Sequence, residues 1–304
     1  MFKIFITLTL MCYSVMQSRG CEVCGCALSS HQFGILPQFQ RHMVALRFDY
    51  RSFESTHPPL FSNDVIKTSY ERFYITQVWT RFALGKKWQI FAFVPIQLHH
   101  KIEDEISTKN FGLGDISLMS MYNLIENRQI GNSIWNHNLQ IGGGIKLPTG
   151  AYDMLDHEGY WIPGLQLGSG TVDWLANINY ILRTPSLGFL FENSFRINNY
   201  NSETDFEYGD RFLTALNVFY VSWYKDKQIL PTGGLVFEYS GQDLHDGVFN
   251  EFSGEHNLGA RVGVDMFHSG FATGISATLP INQEMGGSNI KSGIRFNAYF
   301  SLIF

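Results

Sequence analysis

The chain has 304 residues, room for one large all-β domain or two ordinary ones. Charged residues make up 16%, below the roughly one quarter usual in soluble globular proteins, while 15% are aromatic and 29 are glycine. The formal charge of −5 is mild and no basic run occurs, so nothing favours nucleic acid as a partner.

Residues 1–20 read as a signal peptide and not as fold. Lys3 supplies a positive start, Ile4 to Met16 a short apolar stretch, and Ser18-Arg19-Gly20 a small-residue cleavage site. Cys21 follows directly, which raises lipid attachment as one fate, although an aliphatic residue is expected where Ser18 stands. Residues 21–40 form a cysteine-bearing periplasmic segment that is not strand-like. Cys21, Cys24 and Cys26 crowd three thiols into six residues. As thiolates, with His31 as a fourth ligand, they would suit copper or zinc. In an oxidising periplasm they would equally make one local disulfide and a spare thiol. The third reading makes Cys21 a lipid anchor and leaves Cys24 and Cys26.

From residue 41 to 304 the dominant signal is alternation with period two. Near the start Val44, Leu46, Phe48 and Tyr50 alternate with Arg47, Asp49 and Arg51. Trp135, Leu139, Ile141, Ile145 and Leu147 alternate with Asn136, Asn138, Gln140 and Lys146. His256 to Met266 and Ile290 to Phe304 repeat the pattern. Weaker versions span 70–84, 88–100, 112–124, 164–183, 187–198, 210–224, 229–240 and 270–280. Successive side chains on a strand point to opposite faces, so each segment has one oily and one polar wall.

That makes about twelve strands, an even number, as single-chain bacterial barrels have. Short links at 85–87, 184–186, 225–228 and 268–269, with a longer one at 126–133, alternate with long polar links. The long set lies near 54–68, 101–111, 148–163, 199–208, 241–253 and 281–289. After residue 20 no run of about eighteen apolar residues could make a membrane helix. The expectation is an all-β fold, a transmembrane antiparallel up-and-down β-barrel over 41–304 in the outer membrane. Its partners would be outer-membrane lipid and lipopolysaccharide.

Three stretches carry a family resemblance. Gly112-Leu113-Gly114-Asp115-Ile116, then Gly142 to Gly150 ending in Pro148-Thr149-Gly150, then Leu167-Gly168-Ser169-Gly170-Thr171-Val172-Asp173 lie in order at strand boundaries. They resemble motifs of the outer-membrane channel family named for the meta-pathway of phenol degradation. Phe304, with apolar residues at every second position before it, resembles the terminal signal read by the barrel-assembly machinery. The resemblance implies a passive channel for small, often hydrophobic or aromatic, solutes. The cysteine segment departs from those motifs and leaves open a structural or metal-binding barrel.

Candidate lumen residues are Arg47, Asp49, Arg51, Asp115, Asn138, Lys146, Asp173, Asn177, Glu192, Arg196, Arg261, Asp265 and Arg295. An Arg or Lys turned toward lipid would cost about 2–4 kcal/mol at midplane, so these point inward. There they would either plug the bore by pairing or line a polar solute path. No catalytic set stands out. His268-Ser269 falls in an expected turn, and His99-His100, His157, His245 and His256 have no serine or acid at useful spacing. Asp153, Asp156, His157 and Glu158 read as a solvated acidic loop or a cation site. The six tryptophans fall mostly near strand ends, as interfacial girdles require.

Overall fold

A computed structural model describes residues 41–57, 67–103, 106–129, 134–156 and 159–304. The signal peptide and the cysteine segment lie outside the described residues. Alternation over 41–304 produces twelve strands. They are β1 (Met43–His57), β2 (Lys67–Leu84), β3 (Trp88–Glu103) and β4 in two pieces (Ile106–Leu113 and Ser117–Gln129). Then come β5 (Asn136–Lys146), β6 (Asp173–Arg183), β7 (Leu187–Ile197) and β8 (Arg211–Tyr220, continued by Ser222–Tyr224). Last are β9 (Lys227–Ser240), β10 (Glu255–His268), β11 (Phe271–Met285) and β12 in two pieces (Ile290–Ser292 and Arg295–Ile303).

Each strand pairs antiparallel with the next. β12 returns to β1 in a ladder from Met43↔Ile303 to Tyr50↔Phe296, closing the sheet into a barrel. Among the described residues, closure leaves the barrel wall itself without an edge strand, which is the requirement for crossing hydrocarbon with strands.

The outer wall is oily and exposed. Leu46, Phe48, Ile178, Phe191, Leu216, Val262, Ile275, Phe296 and Phe300 all face outward with at least two fifths of their surface bare. In water so large an apolar surface would drive association. In a bilayer it is the solvated face. Trp88 and Trp223 mark one rim of this belt and Trp174 the other, all exposed. Trp79 does not join them: it is buried in the bore.

Turns at one end are tight. β10 and β11 are joined through Ser269 and Gly270, whose φ of 89° lies where a side chain would be strained. At the other end the chain is longer between strands, and three short strands, Phe206–Glu207, Leu244–His245 and Val248–Phe249, form a small sheet of their own.

Three sequence expectations need correction. The links at 101–111 and 281–289 are not long loops. β3 runs to Glu103 and β4 begins at Ile106, while β11 runs to Met285 and a 3-10 turn at Gly286–Ser288 leads to Ile290. Beyond the membrane both faces of a strand tolerate polar residues, so polarity there does not distinguish strand from loop. Second, the strand read over 164–183 starts only at Asp173. Pro163–Leu165 forms a 3-10 turn, and Leu165, Gln166 and Leu167 are all buried in irregular backbone. Third, β4 breaks at 114–116, between its two pieces.

Candidate functional site

Alternation dictates that the even or odd set not facing lipid faces the bore, and the bore is layered. Toward the tight turns it is oily. Met43, Ala45, Trp79, Phe91, Phe93, Met119, Met121, Leu190, Phe219, Leu230, Phe267 and Ile303 pack into one buried cluster. Trp79 meets Phe93 edge-on at 5.1 Å between centroids. The inner face is therefore not uniformly polar, contrary to the simple reading of oily outside and polar inside. The signal was present in Ile90-Phe91-Ala92-Phe93-Val94, an unbroken apolar run of the kind that marks burial on both faces. A chain of amides crosses the same region: Gln89 and Gln140 each donate to the Asn123 carbonyl, at 3.2 and 2.6 Å.

Above the oily layer lies an ionic band around a cavity of about 120 Å³, large enough for several waters. Arg47, Asp49, Arg51, Glu192, Arg261, Asp265 and Arg295 line it, so seven of the candidate lumen residues share one chamber. Arg47 pairs with Asp49 at 2.8 Å and stacks over Trp79 at 4.9 Å. Asn297 donates to the same carboxylate at 2.8 Å. Arg51 and Arg295 both lie just beyond the pair Tyr50↔Phe296 that ends this ladder, one on β1 and one on β12. Both reach Glu238, Arg295 in close contact and Arg51 at 4.0 Å. Arg261 donates to Thr278 at 3.3 Å. Tyr299 donates its phenol to Asp265 at 2.7 Å. Cations and carboxylates are thus intermixed within a chamber whose floor is the oily layer.

A third group sits toward the loop end. Lys146 holds Asp115 and Asp173, each at 2.6 Å, and touches the Ser169 hydroxyl. Asp115 also accepts from the backbone N–H of Gly150 at 3.0 Å and of Ser169 at 2.9 Å. One carboxylate therefore ties both ends of the 150–169 loop to the break in β4. The loop lies against the wall: Asn110 donates to the Leu165 carbonyl at 2.9 Å and Tyr208 to that of Pro163 at 3.2 Å. Farther out, Tyr152 and Tyr200 donate to Glu203 and Asp205. Those hydrogen bonds push both phenol pKa values up.

Asn138, Asn177 and Arg196 sit buried on the inner wall but outside the chamber, Arg196 directly opposite Arg211 in register. Residues missed by sequence reasoning are Glu238, Tyr299 and Asn217. Glu238 was detectable: Val236, Glu238 and Ser240 alternate with Leu235, Phe237 and Tyr239. Cys21, Cys24, Cys26 and His31 lie outside the described residues, as do His157 and Glu158. Among the described residues no three His, Cys, Asp or Glu side chains are placed to hold a metal. His268 faces Asp226 at 3.1 Å at a turn.

No family model and no curated protein matches the sequence. In structure the chain is similar to an outer membrane channel from Pseudomonas putida F1, with a TM-score of 0.63 and 13% identity over 91% of this chain and 100% of that one. More distant are the β domain of the Bordetella autotransporter BrkA, with a TM-score of 0.42 and 11% identity over 87% and 100%, and the porin NanC. The latter has a TM-score of 0.42 and 10% identity over 85% and 98%. Closed wall, oily exterior and the first of these likenesses define the class: this is a twelve-stranded transmembrane β-barrel of the outer membrane.

Proposed function

We propose that the barrel is a passive channel for small solutes, with apolar or aromatic ones the best fit. The observation that carries this reading is the chamber, with polar groups around its wall and Met43, Ala45, Trp79 and Leu190 as an oily floor. A solute with a flat apolar body and a polar edge satisfies both surfaces, whereas a bare ion meets a dry layer that cannot hydrate it. The likeness to phenol-pathway channels fits the same reading, through Gly112-Leu113-Gly114-Asp115, Pro148-Thr149-Gly150 and Gly168 to Asp173. On it, residues 1–20 are a cleaved signal, 21–40 a periplasmic segment, and Phe304 part of the signal recognised at assembly. Lipopolysaccharide surrounds the loop end.

Vesicle swelling with the purified full chain tests it. Sodium benzoate should enter protein-containing vesicles faster than protein-free ones and faster than a sugar of similar size. Swelling equal to that of protein-free vesicles in every solute would overturn the reading.

A further inference from the structure

Charge is divided between the two ends of the barrel. At the tight-turn end, Arg41, Lys86, Lys87, Arg183, Lys225 and Lys227 are exposed or partly so. Among the described residues the acidic side chains at this end are Asp226, which sits beside His268, and the half-buried Glu126. At the loop end the exposed charges lean the other way, with Asp153, Glu203, Asp246 and Glu251 among them. The whole chain is acidic at −5, so the basic rim is a local arrangement and not a reflection of composition.

The rim has a second property. Its lysines adjoin the last aromatic residues of the oily wall. The Lys87 ammonium lies 5.7 Å from the centroid of Tyr122, whose ring packs tilted against Trp88 at 4.9 Å. The Lys225 ammonium lies 5.6 Å from Tyr224, next to the exposed Trp223. Aromatic rings of this kind settle at the level of lipid headgroups, and a lysine stem one residue farther on carries its charge to the phosphates. Each lysine near an anionic leaflet adds an attraction of roughly fivefold in partition.

We infer that the tight-turn rim is a binding surface for anionic phospholipid headgroups in the leaflet it meets. Lysines 86, 87, 225 and 227 take the phosphates and the adjoining aromatics hold the glycerol level. A zwitterionic headgroup offers the same phosphate but cancels it with its own cation, so the rim selects phosphatidylglycerol over phosphatidylethanolamine.

The full chain should be placed in nanodiscs of equal parts phosphatidylethanolamine and phosphatidylglycerol, and the lipids that stay with it on gentle release measured by mass spectrometry. Phosphatidylglycerol should be enriched about threefold or more at low salt and lose that enrichment in 1 M salt, where screening extends only about 3 Å. The variant K86Q/K87Q/K225Q/K227Q should show none, while the all-arginine counterpart keeps it. Replacing Lys67, Lys109 and Lys291 at the loop end with glutamine should leave it unchanged. Equal retention of both lipids, retained enrichment in the glutamine variant, or loss in the loop-end variant would overturn the inference. So would preferential capture of purified lipid A over phosphatidylglycerol.

Discussion

The Lys146 ammonium lies 2.6 Å from the Asp173 carboxylate, a side chain with no exposed surface, and the same distance from Asp115. Two buried carboxylates thus depend on one cation. Breaking a buried pair by removing one partner costs about 3–5 kcal/mol, because the remaining charge is left uncompensated. Lys146→Met should therefore lower the urea midpoint of the folded barrel sharply. It should also free the 150–169 loop that Asp115 ties down, so protease added outside whole cells should cut that loop in the variant and spare it in the parent.

Tyr299 and Asp265 meet across β11, and Gly274 makes the meeting possible. A Cβ at that position would lie 2.3 Å from the Asp265 Oδ1 and 2.5 Å from the Tyr299 ring. Gly274→Val should destabilise the barrel by about 1–3 kcal/mol through crowding. Tyr299→Phe, which only removes the hydrogen bond, should cost about 1 kcal/mol. Urea unfolding of the two variants gives the comparison, and a Gly274→Val variant as stable as its parent would contradict this account of the strand crossing.

Glu238 is the carboxylate that Arg51 and Arg295 share. Glu238→Gln should leave both guanidiniums facing the chamber with surplus positive charge. In planar bilayers the reversal potential under a salt gradient should shift toward anion selectivity relative to the parent barrel. A shift toward cations would contradict the placement of these groups on the solute path.

If the barrel conducts as proposed, its oily floor should set how easily ions cross. Phe91 and Phe93 stack with their ring planes 2° apart and both are buried. Phe93→Ala should raise single-channel conductance, since a narrower apolar sleeve disfavours hydrated ions most. An unchanged conductance would move the constriction elsewhere.

How much of this was readable in the chain depends on the neighbours of each residue. Arg47, Asp49, Arg261 and Asp265 stand between plainly oily residues, so alternation alone turned them inward. Glu238 is less plainly marked, because the apolar Val236 shares its face and Gly233-Gly234 blur the start of the pattern in β9. The 164–172 stretch misled in the opposite sense. Leu165-Gln166-Leu167 imitates a strand, yet all three side chains are buried because the segment folds against the wall, held by Asn110 and Tyr208. That outcome is tertiary and no local pattern encodes it. Nor did the alternation show that Lys146, Asp115 and Asp173, 58 positions apart at the extremes, meet at one point (115 to 173).

The central claim is that one face of every strand looks into lipid and the other into the bore. Leu216, Asn217 and Val218 on β8 are consecutive, with exposures of 48%, 5% and 38%. Each would be changed singly to cysteine in a background with the native cysteines replaced by serine, then labelled after folding with a small fluorophore in vesicles of brominated lipid. Probes at 216 and 218 should be strongly quenched and the probe at 217 should not. Quenching that is equal at all three positions, or strongest at 217, would contradict the account.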